Sequence, residues 1–121
     1  MAMNIQIQGI RYEPNDKDEE MVTQKIGGLD KFMSKDDSQA FAQVDLECVE
    51  KTHDHKKDIF RVEVTIENAG TIYRAEETRR SLVTALTDVK KKLSKEIRRK
   101  NDKQRSMMRR GKKKIADMFG G

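Results

Sequence analysis

Two stretches of this chain alternate apolar and polar residues, and a third repeats apolar residues at steps of three and four. Ala42, Val44, Leu46 and Cys48 are separated by Gln43, Asp45 and Glu47. Phe60, Val62, Val64 and Ile66 alternate with Arg61, Glu63, Thr65 and Glu67. A period of two places one set of side chains on each face of a strand. One face is then wet and the other covered, the pattern of an antiparallel sheet with helices on one side. The cover is supplied by Leu82, Ala85/Leu86, Val89, Leu93 and Ile97, which line one stripe of a helix.

Other segments complete the order. Asn4-Ile5-Gln6-Ile7-Gln8 alternates as a first strand, with Ile5 and Ile7 toward the core and Gly9 ending the regular part. Glu13-Pro14-Asn15-Asp16 reads as a turn into a helix, and Asp16 with Glu19 has capping-box spacing. Met21 or Val22, Ile26, Leu29, and Phe32 or Met33 follow at helical intervals. Gly27-Gly28 interrupts that helix, where each glycine costs about 1 kcal/mol relative to alanine. The pair implies a close backbone approach or a local bend. Residues 35–38 form a loop and residues 52–58 a polar connection. Asn68-Ala69-Gly70 is a hairpin turn in which glycine can supply a positive φ. Residues 71–75 form the last strand, with Tyr73 and Ala75 inward. The expected fold is α+β, in the order β-α-β-β-β-α: a four-stranded sheet with two helices on one face.

At 121 residues, with 35% hydrophobic and 39% charged side chains, there is material for one lean core. The expected organisation is a domain over residues 1–104 and a basic tail over 105–121. The helix is expected to continue to about Gln104, and the glycine-containing tail to be poorly ordered when unbound. The lone Cys48 excludes an internal disulfide and fits a reducing compartment. No apolar run approaches the roughly 20 residues of a membrane helix. The first residues lack a charged flank followed by an apolar stretch, so no signal peptide is expected. The expected location is cytoplasmic.

Charge is distributed unevenly. Residues 1–87 hold 12 Lys and Arg against 17 Asp and Glu, whereas residues 88–121 hold 14 against 4. An acidic domain thus ends in a basic helix and tail, which points to a polyanion on one side. On a wheel of about 100° per residue with Val89 at zero, the apolar stripe spans about 20° to 80°. Lys92, Lys95, Arg99 and Lys103 fall between about −40° and −120°, and Lys91 and Arg98 lie further round. Such like charges weaken an isolated helix by a few tenths of a kcal/mol per pair, so an external anion explains them better than helix stability does. Lysines and arginines in a row position a phosphate backbone without reading sequence. With no Trp and no row of exposed aromatics, recognition by shape and phosphate is expected, not stacking on single-stranded bases.

Catalytic constellations are weak. His53 and His55 lack well-spread third and fourth ligands, so no metal or other cofactor is expected. Cys48 shares the face of Val44 and Leu46 and reads as a small core residue. Glu76-Glu77 reads as a strand-to-helix junction where acids favour the helix N-terminus. No nucleophile-and-base pair or phosphate-binding glycine loop occurs, so no enzyme is expected. Met107-Met108 and Ile115, Met118 and Phe119 are apolar spots in an otherwise basic tail.

Four segments in order carry a family resemblance: Met3-Asn4-Ile5; Glu13-Pro14 ahead of Leu29-Asp30-Lys31-Phe32; Val62-Glu63-Val64-Thr65-Ile66, Gly70 and Tyr73-Arg74-Ala75-Glu76-Glu77; and Thr84-Ala85-Leu86 ahead of Lys92-Leu93-Ser94-Lys95-Glu96-Ile97-Arg98-Arg99. Over residues 3 to about 100 the chain resembles the ribosome hibernation-promoting factors, or ribosome-associated translation inhibitors. The resemblance implies a fold similar to double-stranded RNA-binding domains. It also implies binding to the small ribosomal subunit, where mRNA and the A- and P-site tRNAs sit, and inhibition by occupying that channel. The family's basic positions match Lys92, Lys95 and Arg99 on the second helix and Lys25 on the first. The chain departs from the family's usual residues at Val83, Glu96 and Gly28. It resembles a short form without the second domain through which long members dimerise ribosomes.

The expected RNA-binding set is therefore Lys25, Lys91, Lys92, Lys95, Arg98, Arg99 and Lys103. The expected partners are the small subunit's rRNA and ribosomal proteins, with no membrane, and the expected state off the ribosome is a monomer. The alternative function is a double-stranded RNA-binding module acting on non-ribosomal RNA.

Overall fold

The computed structural model describes residues 3–33, 39–53 and 56–118, and from residue 103 onward the backbone alone. The loop at 35–38, His55, and the side chains of Lys103 and of the tail methionines lie outside the described residues. The elements are β1 (Asn4–Ile10), α1 (Asp16–Gly27), a 3₁₀ turn (Gly28–Phe32), β2 (Phe41–Glu50), β3 (Ile59–Asn68), β4 (Thr71–Arg79) and α2 (Leu82–Met118). The sheet runs β1-β2-β3-β4.

The sheet is mixed, which corrects the all-antiparallel expectation. β2, β3 and β4 pair antiparallel, but β1 lies parallel to β2, with Ile5 opposite Ala42 and Ile7 opposite Val44. Parallel neighbours need a long crossover, and α1 with its 3₁₀ turn provides it. The interior forms where the alternating residues meet the helical stripes. Val44, Leu46, Val62, Val64 and Ile66 face Val22, Ile26 and Leu29 from the first helical segment and Leu86, Val89, Leu93 and Ile97 from α2, all essentially without solvent exposure. Burying each such aliphatic side chain contributes about 1.5–3 kcal/mol. Cys48 is buried in line with its strand, and a register shift between Cys48 and Glu50 leaves Val49 exposed.

Local chemistry sets the boundaries. The cap of α1 is Asn15, one residue earlier than the Asp16 expectation. Its side chain accepts from the Asp18 amide at 2.8 Å, and the Asn15 amide donates to Asp18 Oδ2 at 3.1 Å. The Tyr12 hydroxyl donates to the same Asp18 oxygen, so this buried carboxylate has several donors. Gly9 sits where a Cβ would come 1.9 Å from the Tyr12 carbonyl oxygen, so only glycine lets the chain turn there. Gly27-Gly28 marks the change from α to 3₁₀ geometry, the bend reading. A Cβ on Gly27 would meet only Ile5 at 3.7 Å, and one on Gly28 would meet nothing within 4 Å.

Between β3 and β4, Ala69 (φ 51°) and Gly70 (φ 79°) both take left-handed geometry, as a two-residue primed turn demands. β4 continues to Arg79, so Glu76 and Glu77 are strand residues, not a helix N-terminus. Cross-strand pairing with Arg61 through Val64 holds them in the ladder. Ser81 instead caps α2, accepting from the Thr84 amide at 3.3 Å through its side chain. The α2 backbone stays helical to Met118, beyond the expected end near Gln104. The run of Lys, Arg, Met and Ala favours helix strongly enough to absorb Gly111.

Candidate nucleic-acid interface

Both helices cover one face of the sheet, so the other face is left to its polar residues. There Arg61 reaches Glu47 at 3.2 Å, Glu63 at 2.6 Å and Glu76 at 2.5 Å, and Arg74 reaches Glu63 at 3.0 Å. These bonds, that from Arg74 above all, hold the Glu63 carboxyl below its usual range. On the open sheet face both arginines are thus engaged by carboxylates.

The helical face differs, and α2 divides it into two flanks. Beside β4, a groove at the sheet edge joins Lys92, Lys95, Glu96 and Arg99 of α2 to Arg61, Glu63, Arg74 and Glu76, which reach it from the open face. Lys92, the centre of the stripe seen on the wheel, forms an ion pair with Glu77. Glu77 also binds Arg79 at 2.7 Å, and Arg79 reaches Asp88 at 3.3 Å. The hydrogen bond from Lys92 is the main reason the Glu77 carboxyl sits below its ordinary range. Asp88 falls at about −100° on the wheel, inside the basic sector. Lys100 is turned away to the end of the sheet, where it bonds Thr71 Oγ1 and lies 6.0 Å from the Tyr73 ring.

The other flank faces α1. Lys25, half-buried near the end of α1, lines a groove with Thr87, Lys90, Lys91, Ser94, Lys95, Arg98, Arg99 and Asp102. Among the described residues, Lys25, Lys91, Lys95 and Arg99 form no ion pair. Arg98 is held differently: its guanidinium stacks 4.6 Å from the centre of the Phe32 ring. The 3₁₀ turn delivers Phe32 to that place, and Asn101 Nδ2 ties α2 to the Phe32 carbonyl at 2.9 Å. The structure therefore brings Lys25 together with Lys91, Lys95, Arg98 and Arg99, while Lys92 shares the other groove with Lys95 and Arg99 and is ion-paired to Glu77.

Sequence reasoning did not nominate Lys90 or Phe32. Lys90 lies at about 100° on the wheel, at the border of the apolar stripe, and only the position of α1 shows that this border opens on a groove. Phe32 was read as one of two alternative core positions. Among the described residues no cluster of three or more His, Cys, Asp or Glu side chains could hold a metal. No helix among them is long and apolar enough to cross a membrane.

A four-stranded mixed sheet carrying two helices on one face, with lysines and arginines gathered between them, defines a small α+β class of domain. Residues 5–105 match the family described as sigma 54 modulation protein / S30EA ribosomal protein, and the chain belongs to that family. The family is one of ribosome-associated hibernation and modulation factors. Among solved structures, the chain is similar to the N-terminal domain of Protein Y from Thermus thermophilus. The two share 24% identity and a TM-score of 0.65 over 82% of this chain and 98% of that one. It is similar also to a ribosomal subunit interface protein from Coxiella burnetii, with 13% identity and a TM-score of 0.63 over 83% and 99% of the two chains. No curated protein sequence matches.

Proposed function

We propose that this protein is a ribosome-binding translation inhibitor that occupies the mRNA and tRNA channel of the small subunit through its helical face. The observation that carries this reading is the gathering of Lys25, Lys91, Lys95, Arg98 and Arg99 on one side of a domain whose opposite face is internally ion-paired. Family membership supplies the ribosome as the setting. Lys92 and Lys103 complete the contact set proposed from the sequence, and the cations of residues 105–121 extend it as a basic tail. Lysine and arginine at phosphate-contacting positions fix orientation and carry most of the affinity, whereas shape decides the target. The protein acts by occupancy, without a cofactor and without consuming a substrate, in the cytoplasm and as a monomer off the ribosome.

Sedimentation of extract from starved cells tests the reading. The protein is expected to travel with small subunits and whole ribosomes, and to leave them as salt is raised. Migration only with ribosome-free RNA would favour a double-stranded RNA-binding module with other targets and would overturn the ribosomal reading.

A further inference from the structure

We infer that the open face of the sheet, at the row formed by Phe41, Glu67 and Ile72, is a docking surface for an extended, arginine-rich segment of a protein partner. This goes beyond the ribosome-binding reading and does not rest on it, because it concerns the face opposite the helices.

Strand periodicity sets the charge of that face. Alternate residues of β2, β3 and β4 point away from the helices and place Asp45, Glu47, Glu63, Glu67 and Glu76 there against only Arg61 and Arg74. The outward residues of β1 are Asn4, Gln6 and Gln8 and add no charge. In a chain of net charge +5 this face is therefore negative. Glu47, Glu63 and Glu76 are committed to the two arginines. Asp45 accepts from Gln43 Nε2 at 3.1 Å and has no cation, and the Glu67 carboxylate has neither a hydrogen bond nor an ion pair among the described residues. A phosphate chain is repelled here, and a cationic partner is drawn in.

Register fixes where that partner sits. Phe41 lies opposite Glu67, and Glu67 opposite Ile72, so the three form one row across neighbouring strands. The row is about 10 Å wide at the usual strand spacing. Phe41 is 37% and Ile72 66% exposed. One exposed apolar side chain is ordinary, but two flanking a carboxylate without a partner make a recognition site. An arginine fits it: its stem packs on Ile72, and its planar head covers the Phe41 ring while forking onto Glu67. Along β3, Glu63 follows four residues from Glu67, about 13 Å away, with Asp45 opposite Glu63. An extended segment laid along β3 repeats its same-side residues about every 7 Å, so arginines four positions apart meet Glu67 and then the Asp45–Glu63 pair.

The test uses the full chain and a labelled twelve-residue peptide of alternating arginine and serine. Peptides with lysine or glutamate in place of arginine are the controls. The arginine peptide is expected to bind and, in an NMR titration, to shift the amides of Phe41, Glu67 and Ile72 while leaving those of α2 in place. Phe41→Thr/Ile72→Thr changes no charge and is expected to weaken binding about tenfold, through loss of the stem and ring contacts. Glu67→Gln is expected to weaken it about threefold, as for a screened ion pair. Glu20→Gln, on the exposed surface of α1, removes an acid elsewhere and should change nothing, which separates this site from diffuse attraction. All four side chains are exposed, so unchanged melting temperatures are expected to accompany these results. Failure of the arginine peptide to bind, shifts confined to the helices, or full affinity in the Phe41→Thr/Ile72→Thr variant overturns the inference. Equal affinity for the lysine peptide overturns the choice of arginine. Self-association of the free protein that the same double variant abolishes would assign the patch to a second copy, and also overturns it.

Discussion

Replacing Glu77 by Gln removes one charge and keeps the side chain's size, in a place where the fold and the binding face can be told apart. The Glu77 side chain is 11% exposed and joins Lys92 from α2 to Arg79 at the end of β4. Those cations are 57% and 44% exposed, so each pair is worth the few tenths to 1 kcal/mol of a screened ion pair, and their joint loss costs about 1 kcal/mol. For a domain of this size that lowers the melting temperature by about 4–8 °C.

The pH dependence carries the same signature. Hydrogen bonding from Lys92, the largest effect, together with Arg79 holds the carboxyl below its ordinary value of 4.5. Its contribution is therefore complete above that value and is lost as pH falls below it through the lowered folded-state value. Thermal melts of wild type and Glu77→Gln from pH 7 to pH 3 should differ most at neutral pH and converge in acid. The difference curve cancels Glu63, which titrates in the same direction. Equal melting temperatures at pH 7 would refute the claim that this network braces α2 against β4.

Three further perturbations probe other parts of the account. Ala69→Asn relieves a left-handed φ of 51° that alanine adopts at about 1 kcal/mol, and should raise the melting temperature by several degrees; a lower one would show that the turn is not strained. Phe32→Leu removes the ring beneath Arg98 without removing charge, so affinity for small subunits should fall by about two- to fivefold with an unchanged salt slope, from a loss of about 0.5–1 kcal/mol. Burial first, and then the hydrogen bond to Asp18, raises Tyr12 to about 12. Its folded-state advantage is complete below its ordinary value of 10.0 and is lost as pH rises toward 12, so wild type should lose stability over that range relative to Tyr12→Phe. Parallel curves would contradict the assignment.

The legible parts of the fold were those set by periodicity. Ala42 through Cys48, Val62 through Ile66 and Leu82 through Ile97 are buried as their spacing requires, because a period of two or of three-to-four survives any change of partner. The direction of β1 was not legible, since an edge strand with half-buried isoleucines reads the same in either orientation. The end of β4 was missed because Glu76 and Glu77 are poor strand formers, and cross-strand pairing with Arg61 through Val64 outweighs that preference. At the candidate site, the basic character of α2 was visible in its composition. Which of its cations are ion-paired and which line a groove with α1 was not, because that depends on Glu77, donated by β4, and on the position of α1. A wheel drawn on one helix contains neither.

The most direct test of the central claim is competition in a purified translation system. Added protein should reduce synthesis in proportion to its occupancy of small subunits, and excess mRNA with initiator tRNA should relieve the block by displacing it. Inhibition that persists unchanged at saturating mRNA and initiator tRNA, with the protein still bound, would contradict the channel-occupying mechanism.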